Sequence, residues 1–465
     1  VLGGIMSVQD LPLNKQIAYA LGQYGWSILI NIIGIQLVYF YAPPENAGLP
    51  YFIPQVTFLG FLNILSIIAA SGRLFDAITD PLIAGLSDRL KHPKGRRIPF
   101  LNWGAIPAAL FCFLIFFPIE KDQSTLNVVF IIIVQLLFFL FLTMYVTPYF
   151  ALLAELGHTT NQRLNLSTYI SITYALGIMT AAQVPLVANL LKDKLNLDAV
   201  TSMQYSIGIF CLISIILMYF PIWFIEEKKY CKSNPIDIPI LESLKSTFKN
   251  EYFRYYVIAD FAYFASLTII MTGLLFYTTV LLFPNDKVKG ENIVGILLPI
   301  MILTSFVLYP VVNILAKKVG KKILVVISYA VMSIVFLQIY FMGEKFYNRI
   351  FSPDLQAFGV IILYSIPLAF VSILPNAILA DIAEYDAKKT NLPKEGMYFA
   401  ARTFLQKIGQ TFGIFLFALL ILFGKDPGND LGVRLTGIAG FILSFIAAIY
   451  FARYNEKELL KELEK

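Results

Sequence analysis

Ser71-Gly-Arg-Leu-Phe-Asp-Ala-Ile-Thr-Asp-Pro81 places an arginine and two aspartates inside what otherwise reads as a membrane-spanning helix. A charged side chain at the bilayer centre costs about 2.5–3.5 kcal/mol on insertion scales, so Arg73, Asp76 and Asp80 must face protein or water. Asp76 and Asp80 are four residues apart and share one helix face, with Arg73 three residues before Asp76 on nearly the same face. Two stacked carboxylates repel, which raises the pKa of one or invites a cation between them. Hard oxygen ligands suit Na⁺ or H⁺ better than a transition metal. The stretch reads as a cation site in a transporter, with Arg73 as a clamp on the aspartates. A structural charge network is the competing reading.

The rest of the chain agrees with a membrane setting. Its 465 residues are 58% hydrophobic and 14% charged, against about 25% charged in soluble domains. The net charge of +6 would fit nucleic acid, yet the basic residues lie in short loops between apolar spans, where the positive-inside rule explains them. His92 and His158 both fall in loops, which excludes a histidine relay within the bilayer. Cys112, Cys211 and Cys231 are too scattered for a disulfide framework or a metal knuckle. No phosphate-cradling loop, nucleophile elbow or HExxH occurs, and an intramembrane aspartyl protease would need its aspartates on facing helices. The chain is therefore expected to be no enzyme, and to use no cofactor or metal beyond a coupling cation, Na⁺ or H⁺ with Li⁺ as a third option. Val1 to Ser7 is too short for a cleavable signal.

Counting apolar stretches of about 20 residues predicts an all-α membrane protein with twelve spans. They cover 16–41, 56–87, 99–118, 125–155, 164–191, 203–225, 255–283, 294–315, 323–342, 356–382, 396–423 and 431–452. Residues 1–225 and 255–452 form two six-helix bundles, 226–254 a cytoplasmic linker and 453–465 a cytoplasmic tail. The loops Asp88–Arg97 and Lys317–Lys322 are basic and glycine-containing at equivalent places in the two halves, as a six-plus-six repeat requires. Both loops and both termini are expected on the cytoplasmic side of a bacterial inner membrane.

Gly72-Arg-Leu-Phe-Asp-Ala-Ile-Thr-Asp-Pro-Leu-Ile-Ala-Gly85, followed by Ser87-Asp-Arg and Lys94-Gly-Arg-Arg-Ile-Pro-Phe100, resembles the second-helix signature of the glycoside-pentoside-hexuronide cation symporters. These are a branch of the major facilitator superfamily that includes melibiose permease. Tyr19-Ala-Leu-Gly-Gln-Tyr-Gly25, Thr147-Pro-Tyr-Phe150 and Ala380-Asp-Ile-Ala-Glu-Tyr385 extend the resemblance along nearly the whole chain. It implies a carrier, expected to be monomeric, in which Asp76 and Asp80 bind the coupling cation, Thr79 and Thr143 lie beside them, and Lys407 approaches the pair. It implies alternating access and symport of a sugar or glycoside. Ser27, Val146 and Ser171 stand where melibiose permease grips galactosides with two aspartates and an arginine, so a lysolipid cargo, as in another branch of the superfamily, stays open.

Other candidates follow from position. Lys407 sits too deep in its span to snorkel, and a role in neutralising the aspartates of the empty carrier competes with a fixed pair to Asp260. Gln23, Ser27 and Asn31 recur every four residues on one face of the first span, with Trp26 and Tyr149 as stacking faces for a sugar ring. Helix-to-helix hydrogen bonding explains that stripe equally well. Arg402, Gln406 and Gln410 form a similar polar stripe, and Asp260 reads as isolated and interfacial. Arg163, Asp381, Glu384 and Asp386, with the basic loop, are candidate cytoplasmic gate charges, or simply solvated helix ends. The expected partners are a small-molecule substrate and membrane lipid, with no nucleic acid.

Overall fold

The computed structural model describes residues 11–55, 57–58, 62–157, 160–231, 247–343, 350–390 and 395–464. The first half runs through α1 (Leu13–Tyr41), α2 (Ile64–Arg89), α3 (Ile98–Ile115), α4 (Thr125–Leu156), α5 (Thr160–Ala181), α6 (Val184–Leu195), α7 (Ala199–Phe224) and the single turn α8 (Glu227–Tyr230). The second half holds α9 (Glu251–Phe276), α10 (Lys287–Val319), α11 (Lys321–Phe341), α12 (Pro353–Thr390), α13 (Glu395–Leu420), α14 (Leu431–Ala452) and α15 (Glu456–Glu464). Among the described residues, eleven helical stretches are long and apolar enough to cross a bilayer. The second expected span, α2, falls outside that set, in keeping with its load of charged residues. The protein is an all-α membrane protein.

Polar caps mark where apolar spans begin. Ser124, Asp198, Asn250 and Asp286 each accept a backbone N–H from the first turn of α4, α7, α9 and α10, satisfying donors that a helix start leaves unpaired. Three departures from the expected spans have local causes. The second helix starts at Ile64 rather than 56, because Thr57–Phe58 (β1) and Leu62–Asn63 (β2) form a two-residue antiparallel ladder. The fifth span is broken between α5 and α6, where Pro185, in the first turn of α6, has no N–H to continue the ladder. The seventh span ends in a π-helical segment, Tyr277–Leu282, where Phe283 N–H donates to the Thr278 carbonyl at 2.8 Å.

The chain divides into two compact units. Unit one is Val1–Tyr41, Leu49–Pro54 and Leu74–Ile236; unit two is Ala42–Gly48, Gln55–Arg73 and Asp237–Lys465. The expected linker 226–254 lies partly outside the described residues, which omit 232–246. Within unit one, α1 packs on α5 and α7, and α3 on α4 and α7; within unit two, α9 packs on α13 and α14, and α11 on α12 and α14. Counted by span, these are the pairs 1·5, 1·6, 3·4 and 3·6, and the same four pairs shifted by six. The repeat is thus present in the packing.

Candidate functional site

Four residues on two helices of unit one make the centre. Asp76 and Asp80 project from α2 one turn apart, and Thr143 and Thr147 stand one turn apart on α4. Thr143 Oγ1 donates to Asp76 Oδ1, and Thr147 Oγ1 donates to Asp80 Oδ1 at 2.9 Å. Thr79 Oγ1 lies 3.4 Å from Thr143 Oγ1 and back-bonds to the Phe75 carbonyl at 3.1 Å. Asp76, Thr79 and Thr143 are buried, whereas Asp80 and Thr147 are half-buried. The i, i+4 period of one helix thus meets the same period on the next, giving a two-rung ladder of carboxylate and hydroxyl oxygens. Such a hard oxygen set can hold a proton or a monovalent cation. The backbone of Arg73 lies in α2, but its side chain is outside those described. Thr147 was not among the expected ligands, although it opens a quoted motif and stands four residues after Thr143.

Among the candidate substrate residues of α1, Ser27 bonds a neighbouring helix, while Asn31 and Trp26 bond within α1. Ser27 Oγ donates to the Tyr174 carbonyl at 2.8 Å, close to Gly177, where any β-carbon would overlap the serine. Asn31 Nδ2 donates to the Ser27 carbonyl at 2.8 Å, and Trp26 Nε1 to Gln23 Oε1 at 3.2 Å. Tyr149 is fully buried, stacked on Tyr19 with ring centroids 4.3 Å apart, and each hydroxyl donates to the other's carbonyl. In this conformation Asn31 is half-buried, whereas Trp26 is buried and Ser27 and Tyr149 have no exposure.

In unit two, Arg402 of α13 grips Asp260 of α9 through Nε at 2.9 Å and Nη2 at 3.1 Å, while Nη1 donates to Asn376 Oδ1 of α12. Asp260 is therefore not an isolated interfacial acid. Its side chain is 2% exposed, and its described partner is Arg402 rather than Lys407. Gln406, Lys407 and Gln410 are half-buried on the same helix.

Two of the gate candidates at the basic-loop end, Asp381 and Glu384, have described partners in unit two. Asp381 pairs with Lys321 at 2.5 Å, and exposed Glu384 lies 4.0 Å from Lys388. Arg163 belongs to α5, with its side chain outside those described. In unit one, Arg96 and Arg97 meet Glu155 at 3.2 and 3.0 Å. Two further carboxylates, outside the expected site residues, hold these loops. Glu227 accepts the backbone N–H groups of Arg96, Arg97 and Ile98 at 2.7, 2.8 and 3.1 Å, and Glu456 accepts those of Lys321 and Lys322, both at 3.1 Å. Gly95 and Gly320 precede them at φ +109 and +95, conformations that favour glycine.

The family described as MFS/sugar transport protein matches residues 18–430. The chain belongs to that family. It is a membrane transporter and not an enzyme. It is 26% identical, over 98% of its length and 94% of the other's, to an Escherichia coli (strain K12) protein provisionally described as a sulfoquinovose importer. It is 22% identical to the isoprimeverose transporter of Lactiplantibacillus pentosus, over 98% and 92% of the two chains. Its fold resembles the crystal structure of a D-xylose-proton symporter, with a TM-score of 0.61, 14% identity and coverage of 95% and 96%.

Proposed function

We propose that the transporter couples entry of Na⁺ or H⁺ to uptake of a sugar or glycoside by alternating access. The observation that carries this reading is the ladder of Asp76 and Asp80 against Thr143 and Thr147, with Asp76 buried. A structural charge network needs only one carboxylate per base. Two carboxylates one turn apart, each with one oxygen accepting from a threonine hydroxyl, gather the hard oxygen ligands that a monovalent cation takes. The sugar assignment is supported by the family and by the sugars named for two relatives over nearly the full chain. Cation and sugar would then bind with a coupling free energy that is the same in both directions, so substrate must tighten the cation by the factor by which the cation tightens substrate.

The test is uptake of a panel of labelled sugars into proteoliposomes with Na⁺ or H⁺ gradients. Asp76→Asn and Asp80→Asn are expected to lose cation-driven accumulation. Undiminished accumulation in both variants, with either ion, would sink the cation site.

A further inference from the structure

We propose that unit one carries a binding site for an anionic phospholipid, seated where α3 meets α7 at the basic-loop end. A cavity of about 190 Å³ opens there, lined by His92, Lys94, Asn102, Trp103 and Ile222 among others. Its polar end is positive. His92 Nδ1 accepts the Lys94 backbone N–H at 3.1 Å, which leaves the other ring nitrogen as an N–H donor, and the Lys94 side chain is exposed. Lys91 on the same loop and Lys228 and Lys229 just beyond α7 are also exposed. Among the described side chains nearby, Glu227 is taken up by three backbone N–H groups, and Glu226 pairs with Lys15 at 3.4 Å. The helix start is therefore no anion site, and a phosphate would be met by side chains.

The apolar surface below the cavity suits acyl chains. Trp103, Ile106 and Leu110 are each 46–49% exposed, at i, i+3 and i+7 on one face of α3, and α3 packs on α7. On α7, Leu212, Ile216 and Trp223 are 56–64% exposed at i, i+4 and i+11. Two apolar strips thus run along adjacent helices from a basic pocket flanked by tryptophans, which gather at membrane interfaces. Charge complementarity selects an anionic headgroup, and basic pockets between spans on the cytoplasmic side recognise such lipids. The site stands independently of the transported cargo.

Native mass spectrometry of the full-length detergent-purified protein tests it, with phosphatidylglycerol and phosphatidylcholine of matched chains as probes. The wild-type protein is expected to retain phosphatidylglycerol at least fivefold better. The double variant His92→Ala/Lys94→Gln should fall to within twofold of phosphatidylcholine, while Lys317→Gln/Lys318→Gln, which removes basic residues from unit two, keeps the preference. Trp103→Ala leaves every charge in place and should also lose retention, so it decides the question if the double variant fails to fold. Equal retention of the two lipids by the wild-type protein, an equal loss in the unit-two variant, or displacement of the lipid by inorganic phosphate would each overturn the proposal.

Discussion

The hydroxyl ladder makes the proposed cation site depend on groups that carry no charge. Thr147 contributes one hydrogen bond to a half-buried carboxylate. A hydrogen bond to a charged group contributes about 1.5–3 kcal/mol, so Thr147→Ala should raise the concentration of the coupling cation, Na⁺ or H⁺, for half-maximal uptake roughly tenfold, with Thr147→Ser close to the wild-type protein. Unchanged cation dependence would make the hydroxyl a bystander. Arg402 is a different case, because its removal strands a buried Asp260. Breaking such a pair costs about 3–5 kcal/mol, so Arg402→Ala should unfold at markedly lower temperature in detergent, and Asp260→Asn with Arg402→Gln should recover most of the loss. A double variant no more stable than Arg402→Ala would refute that account. The sequence exposed Asp76 and Asp80 because four-residue spacing in an apolar run is visible in one dimension. It could not pair Arg402 with Asp260, which lie 142 residues apart.

At the scale of elements, the spans were legible because a bilayer demands long apolar runs, whereas their interruptions depend on backbone bonding that hydropathy does not record. The π-helical end of the seventh span and the break before α6 are of that kind. The same holds for Glu227 and Glu456, which in sequence look like ordinary solvated acids after a span. Each is buried and closes the start of a helix in its own unit. An orphaned buried donor costs about 1–3 kcal/mol, so Glu227→Ala and Glu456→Ala should both lower thermal stability. Glu227→Ala should do so more, having three N–H groups to strand against two. The reverse ranking would show that the carboxylates act through something other than these bonds.

At the scale of the whole molecule, a carrier that returns empty must move its site charges across a low-dielectric layer, which is costly when they are uncompensated. The proposed symporter has Asp76 and Asp80 in unit one and Lys407 in unit two. Lys407→Ala should therefore slow net uptake, which needs the empty return, at least tenfold more than equilibrium exchange, which does not. Equal slowing of both would remove the compensating role. The six-plus-six repeat was faintly legible as two basic, glycine-containing loops, and Gly95-Arg96-Arg97-Ile98 and Gly320-Lys321-Lys322-Ile323 prove to be held alike. That arrangement has a bearing on biosynthesis. Glu227 lies 131 residues after Arg96, and Glu456 lies 135 after Lys321, each beyond the sixth span of its bundle. A ribosome delivers every helix of a bundle before the carboxylate that fastens its third one, so neither bundle can lock that loop until its last span has been synthesised.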